Sequence, residues 1–325
     1  MSGEDTSFEA LLEFLQQSRG FDFAGYKRPS LMRRVSRRLQ VLGLASYDEY
    51  RDYLEVHPDE FGELFNTVLI NVTSFFRDAA AWETLARHVV PELLRRKPAH
   101  HPVRVWSAGC ASGEEAYTLA MVLAEAMGPE AFRDRAKVYA TDVDQDALSH
   151  ARLAAYGARA LEPVPPALRE KYFQPADGGF QFRSDLRRAV IFGRHDLVQD
   201  APISRLDLLV CRNTLMYFNA ETQARVLSKF HFALAGEGQA GHLFLGRAEM
   251  LLTHSALFTP LDLKCRIFTA VPSPRARVRA AANEAVAPLI GGPDLAGDKL
   301  RELALEDPAV ARILIDLNGV LTFAN

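Results

Sequence analysis

A chain of 325 residues, 48% hydrophobic and 24% charged, can bury a sizeable core and should hold two or three units, while a formal charge of −3 argues against a protein that coats nucleic acid. A membrane span needs roughly 18 consecutive apolar residues, and no such run occurs; the acidic start Met1-Ser2-Gly3-Glu4-Asp5 also lacks the basic-then-apolar order of a signal peptide, so a cytoplasmic location is expected. Cys110, Cys211 and Cys265 stand far apart without ligand spacing, which supports neither a disulfide framework nor a metal site.

Residues 1–90 read as a small helical domain: Phe8, Leu11, Leu12 and Leu15, then Leu31, Val35, Leu39 and Leu42, then Phe61, Leu64, Phe65 and Val68 recur at helical spacing. Lys27 to Leu39 carries six cations and no acid in thirteen residues. Its Arg33/Arg37 and Arg34/Arg38 pairs repel at i, i+4 by a few tenths of a kcal/mol each, so an anionic partner is expected, with RNA or an acidic surface of the chain itself as alternatives. Asn71-Val72-Thr73-Ser74-Phe75-Phe76-Arg77 then gathers an amide, hydroxyls, aromatics and a guanidinium at a domain junction. That composition suits a site between domains, or equally a helix cap with Phe75 and Phe76 in the core.

From Val103 the pattern alternates strand and helix: Val103 to Ala108, a helix from Glu114 to Met127, Val138 to Thr141, and a helix near Ala147 to Ala155. Later strands are expected at Val190 to Gly193, Leu206 to Cys211, His242 to Gly246 and Arg266 to Val271, with a helix over Glu221 to Leu234. Such alternation predicts a parallel doubly wound sheet. Between them, residues 160–190 read as a small hairpin subdomain around Asp177-Gly178-Gly179. Prolines, arginines and alanines over 272–305 mark a linker.

The first strand runs into Ala108-Gly109-Cys110-Ala111-Ser112-Gly113-Glu114-Glu115, and Asp142 ends the next strand. Gly109 and Gly113 are expected to let backbone approach a ligand, and Asp142 to accept both hydroxyls of a ribose. This signal leaves dehydrogenase and methyltransferase open. The third glycine of a dinucleotide fingerprint is missing, however, and two acids stand where a pyrophosphate needs bare amides. A nucleoside without phosphates is therefore expected, and S-adenosylmethionine fits. Cys211-Arg212-Asn213 and Tyr217-Phe218 fall at the carboxyl edge of the sheet, where ligands bind; a core role for Tyr217 is the alternative.

Taken together, Asn71-x-Thr73-x-x-x-Arg77, the Ala108 to Tyr117 loop, Ala140-Thr141-Asp142-Val143-Asp144, and Cys211-Arg212-Asn213 with Tyr217-Phe218 resemble the CheR-type chemotaxis receptor methyltransferases. The resemblance covers about residues 10 to 271 in family order. It implies a Rossmann-like α/β methyltransferase domain over 91–271 behind the helical domain, and transfer of methyl from S-adenosylmethionine to receptor glutamates, leaving S-adenosylhomocysteine. By position, Asn71, Thr73, Arg77, Ala108, Gly109, Glu115, Asp142, Asp196, Leu197, Arg212 and Asn213 would contact the cofactor. Arg77 and Tyr217 would flank the methyl group, and Arg33, Arg34, Arg37 and Arg38 would meet an acidic receptor region. Ala116, Asp196 and the run Gly246-Arg247-Ala248-Glu249 depart from the usual proline, asparagine and glycine-histidine-serine-glutamate. A non-catalytic S-adenosylmethionine-binding module and an RNA methyltransferase are the competing readings.

The expected partner is thus the cytoplasmic part of a methyl-accepting receptor, with no nucleic acid and no membrane insertion. The Asp177-Gly178-Gly179 connection is short, so no peptide tether is expected there. Residues 306–325 alternate apolar and polar around Asn318-Gly319, a hairpin signal that resembles the start of a PAS domain; dimerisation through this region is left open.

Overall fold

The structure is a computed structural model that describes residues 3–69, 71–235, 240–249, 251, 256–272, 313–315 and 321–324. The chain divides into two compact units, Met1–Ala276 and Arg277–Asn325. In the second, β11 (Ile313–Ile315) pairs antiparallel with β12 (Leu321–Ala324), Ile313 opposite Ala324. The expected turn at Asn318-Gly319 and the linker beyond Pro272 lie outside the described residues.

Four helices open the first unit: α1 (Gly3–Arg19), α2 (Arg28–Leu42), α3 (Tyr47–Val56) and α4 (Glu60–Val68). Proline in the first turn of α2 sacrifices only an N–H that no helix satisfies, and Gly43 ends the helix in the left-handed region at φ 72°. Ser46 caps α3 by accepting the Glu49 N–H at 3.2 Å. The apolar stripes of these helices, Leu31, Val35 and Leu39 of α2 among them, close on Phe8, Leu11, Leu15, Tyr50, Leu54 and Leu64 in one core.

After α5 (Ala79–Thr84), a π-turn at Leu85–Val89 and α6 (Val90–Arg96), the sheet domain follows: β1 (Val103–Ala108), α7 (Glu114–Met127), α8 (Pro129–Arg135), β2 (Ala136–Asp142) and α9 (Gln145–Leu153). A small antiparallel sheet comes next, with β3 (Ala155–Tyr156), α10 (Pro166–Tyr172), β4 (Phe173–Ala176) and β5 (Gly179–Phe182) in the order β3-β5-β4. Then come α11 (Ser184–Arg187), β6 (Val190–Arg194), β7 (Leu208–Cys211), α12 (Ala220–Leu234), β8 (His242–Leu245), β9 (Phe258–Asp262) and β10 (Ile267–Ala270).

The main sheet has the order β6-β2-β1-β7-β8-β10-β9. Its first five strands are parallel, but β10 runs antiparallel to both neighbours, so the wholly parallel sheet expected from alternation is corrected to a mixed one. Only a short turn joins β9 to β10, and a short connection permits antiparallel pairing alone. β9 escaped sequence reading because Pro260 sits within it and its middle residues are exposed, both features of an edge strand. The chain leaves β1 toward β2 and later returns on its other side as β7. A crevice therefore opens at the carboxyl ends of β1 and β7, the place where such sheets bind ligands.

Candidate functional site

The turn after β1 is built by backbone bonds. Gly109 and Cys110 both donate to the Thr141 carbonyl, at 2.8 and 3.0 Å, and Gly113 donates to Cys110 O at 2.9 Å. Gly109 and Gly113 have φ of 78° and 96°, which L residues rarely adopt. A Cβ on Gly109 would stand 2.4 Å from Thr214 Oγ1, and one on Gly113 2.9 Å from Ala151 Cβ. The bare Cα atoms thus make room for the Thr214 and Ala151 side chains, and Gly109 also lines the cleft. Asp142 Oδ2 accepts the Ala111 N–H at 2.8 Å and Oδ1 that of Asp144 at 3.0 Å. Burial pushes its carboxyl up, and its remaining lone pairs suit the hydroxyls of a ribose.

The opposite wall is the turn after β7. Arg212 is buried, pairs with Asp78 at 2.5 Å, and lies 4.9 Å from the Phe244 ring centre and 5.7 Å from that of Trp82. Asn213 adopts φ 61°. The buried Glu249 organises this turn, with Oε2 accepting the N–H of Gly246 at 2.6 Å and of Asn213 at 3.0 Å and Oε1 accepting those of Thr214 and Leu215 at 2.8 Å. Glu115, at the start of α7, is pushed up to about 7 by burial, against the lowering effects of Arg212 and of the Ser107 hydroxyl, which donates to it at 2.8 Å.

The helical domain supplies the third wall. Tyr26, Val68 and Leu69 line the same cleft as Asn71, Thr73 and Arg77. Phe75 is fully buried, so this motif serves the cleft and the core together. The Asn71 amide donates to Asp144 at 2.5 Å, and the Arg77 guanidinium to Val72 O at 2.9 Å. Backbone bonds stitch the domains, Lys27 N–H to Tyr217 O at 3.0 Å and Asn219 N–H to Gly25 O at 2.9 Å.

Two of the four arginines expected to face a receptor are otherwise engaged. The Arg34 guanidinium donates to Val68 O and lies 5.1 Å from the Tyr217 ring centre. Arg38 binds Glu60 through two bonds of 2.8 and 2.7 Å, so for Arg38 the alternative of an acidic surface within the chain is the one the structure bears out. Arg33 and Arg37 are exposed.

Asn71, Thr73, Arg77, Gly109, Glu115, Asp142, Asp196, Leu197, Arg212, Asn213 and Tyr217 all line one cleft, whereas Ala108 is buried beneath it. The Asp196 carboxylate turns to its own loop, accepting the Val198 N–H at 2.7 Å. Sequence reading missed Tyr26, Trp82 and His195, which no motif marks, and gave Glu249 no role. Among the described residues, the buried side-chain polar atoms without a partner are Trp82 Nε1, His195 Nδ1, Arg212 Nε and Asn213 Oδ1, and all four residues line the cleft. Buried polar groups are rarely left unpaired. A polar ligand with donors and acceptors along its length, as in S-adenosylmethionine, fits this lining.

Residues 71–267 match the SAM-binding domain of CheR methyltransferases, and residues 6–69 match the all-alpha domain of the same proteins. The chain is 33% identical over 233 residues to a chemotaxis protein methyltransferase of Listeria monocytogenes, covering 72% of this chain and 86% of that protein. It is 35% identical over 244 residues to chemotaxis protein methyltransferase 2 of Pseudomonas aeruginosa, covering 72% and 85%. An uncharacterized 104.1 kDa protein of Rhodobacter capsulatus is 35% identical over 261 residues, 80% of this chain, of which the chain spans only 27%. The chain belongs to the CheR methyltransferase family, with S-adenosylmethionine as its cofactor.

Proposed function

We propose that this protein transfers a methyl group from S-adenosylmethionine to glutamate side chains on the cytoplasmic part of a chemotaxis receptor, forming methyl esters. The observation that carries this reading is the contact of Arg34 with Tyr217. Through it the helix bearing the exposed cations Arg33 and Arg37 abuts the cleft where transfer occurs, so an acidic receptor surface docked on α2 would present its side chains at the cleft mouth.

Bound in the cleft, S-adenosylmethionine supplies an electrophilic methyl group. Asp142 would hold the ribose hydroxyls, and Glu115 would balance the positive charge of the ligand. A glutamate side chain with a reference pKa of about 4.3 is already an anion at neutral pH, so the acceptor needs no general base. What remains is alignment, which can supply several kcal/mol of the barrier. Arg77 would hold one acceptor oxygen, with Tyr217 on the other flank of the methyl group.

Arg247, which departs from the usual run, is not among the residues that line the cleft. Its side chain is 74% exposed and lies 3.5 Å from Asp78, while Gly246 and Glu249 keep their places under the Asn213 turn. A cytoplasmic setting agrees with this receptor partner, and among the described residues no helix is long and apolar enough to cross a membrane. Incubation with labelled S-adenosylmethionine and a receptor cytoplasmic fragment, followed by peptide mapping, tests the proposal. Label on glutamate is expected; label elsewhere, or none, overturns it.

A further inference from the structure

Trp82 carries a feature that its packing does not require. It is 2% exposed, with its ring edge-to-face against Phe244 at 5.3 Å and Phe76 at 6.4 Å and near the Arg212 guanidinium. A phenylalanine could make each of these contacts. Only the indole brings an N–H, and that N–H is buried without a partner, a loss that native cores avoid.

The same wall of the cleft holds a second unpaired donor, Arg212 Nε, an unpaired acceptor, Asn213 Oδ1, and the buried acid Glu115. Two donors beside an acceptor and an acid complement a zwitterion, with its carboxylate on the donors and its ammonium on the acceptors. The sheet order separates this group from the ribose acid. Asp142 ends β2 on one side of β1, whereas Arg212 follows β7 and Phe244 lies in β8 on the other.

We infer that the Trp82 N–H donates to the carboxylate of the cofactor's amino-acid moiety, together with Arg212 Nε. This contact rests on the S-adenosylmethionine reading of the cleft. Trp82 also borders a groove formed by Pro91, Pro163 and Leu168 with Glu83 and Glu125, where its N–H would meet water or these acids and not the cofactor.

Calorimetric titration of the full chain separates the two placements. S-adenosylhomocysteine carries the amino-acid moiety and methylthioadenosine lacks it. Trp82→Phe should weaken the first about tenfold, as for a hydrogen bond to a charged group, and change the second by less than about twofold. Equal change for both ligands, or none for either, overturns the inference. If the unsubstituted protein fails to bind S-adenosylhomocysteine, the cofactor reading falls instead.

An indole N–H spectrum of the unsubstituted protein gives the same decision without a mutation. The chain has two tryptophans, and the Trp106 N–H is already bonded to Thr141 Oγ1 at 2.9 Å. S-adenosylhomocysteine should move the Trp82 signal downfield while methylthioadenosine leaves it in place. A Trp82 signal unmoved by S-adenosylhomocysteine contradicts the contact.

Discussion

Glu249 holds the Asn213 turn from beneath: its Oε2 accepts the Asn213 backbone N–H at 3.0 Å, although 36 residues separate the two in sequence. With three further N–H groups on the same carboxylate, the geometry of the cofactor wall depends on an anion that itself lies under the cleft. A glutamine offers one acceptor oxygen and turns an NH₂ toward N–H groups. Glu249→Gln should therefore destabilise the fold by about 2 kcal/mol and weaken S-adenosylhomocysteine binding as well. Denaturant unfolding and calorimetry on the same preparation check both; full retention of cofactor affinity would contradict this role.

Glu115 sets a pH dependence. Burial lifts its carboxyl to about 7 in the folded protein, and the proton competes with the positive charge of S-adenosylmethionine. Cofactor affinity should fall as pH drops through that value, approaching about tenfold per pH unit below it, and Glu115→Gln should flatten the profile. The stability of the free protein runs the other way. The folded form retains its proton between 4.5 and about 7 where the unfolded form has lost it, so unfolding free energy falls as pH rises across that window. Asp142, Glu114 and Glu249, also raised by burial, act in the same direction.

Asp142→Ala removes both the acceptor of the ribose hydroxyls and the bonds to Ala111 and Asp144. S-adenosylmethionine binding should weaken by about 2 kcal/mol, as for the loss of a charge-assisted pair. Unchanged affinity by calorimetry would defeat the ribose assignment.

Arg77→Ala and Tyr217→Phe address the chemical step. If these residues act on the acceptor in the transition state, turnover should fall more than cofactor affinity. A parallel loss of both would make the residue a cofactor ligand instead.

The division among the four arginines of α2 gives a further separation. Reversing the exposed Arg33 and Arg37 to Glu should raise the receptor KM several-fold and flatten its dependence on salt, because screened surface charges carry the docking. Arg34→Ala should instead lower kcat, since Arg34 contacts Tyr217 and the Val68 carbonyl. Initial rates across a salt series distinguish the two; a purely KM effect of Arg34→Ala would return it to the docking surface.

Much of this was legible in the chain itself. β1 and α7 fall where the apolar run and the periodicity place them, because Gly109 and Gly113 punctuate the boundary without ambiguity. The residues that the CheR resemblance implied as cofactor contacts, Ala108 apart, line one cleft. What escaped around the cleft and on α2 shares a physical reason: its partners are distant in sequence. Tyr26 reaches the cleft only because backbone bonds tie its loop to residues 217 and 219, Glu249 acts on a turn far upstream, and the inward bonds of Arg38 depend on Glu60 in another helix. Composition reads the segment with six cations as one charged face, whereas tertiary packing divides its arginines between the surface and the interior.

The most direct test of the account is the chemical lability of the transferred group. A receptor fragment methylated by this protein from labelled S-adenosylmethionine should release its label as methanol in mild alkali, since an ester hydrolyses where methyl on nitrogen or carbon does not. Label that survives alkali, or that appears only on added RNA, would contradict glutamate methylation.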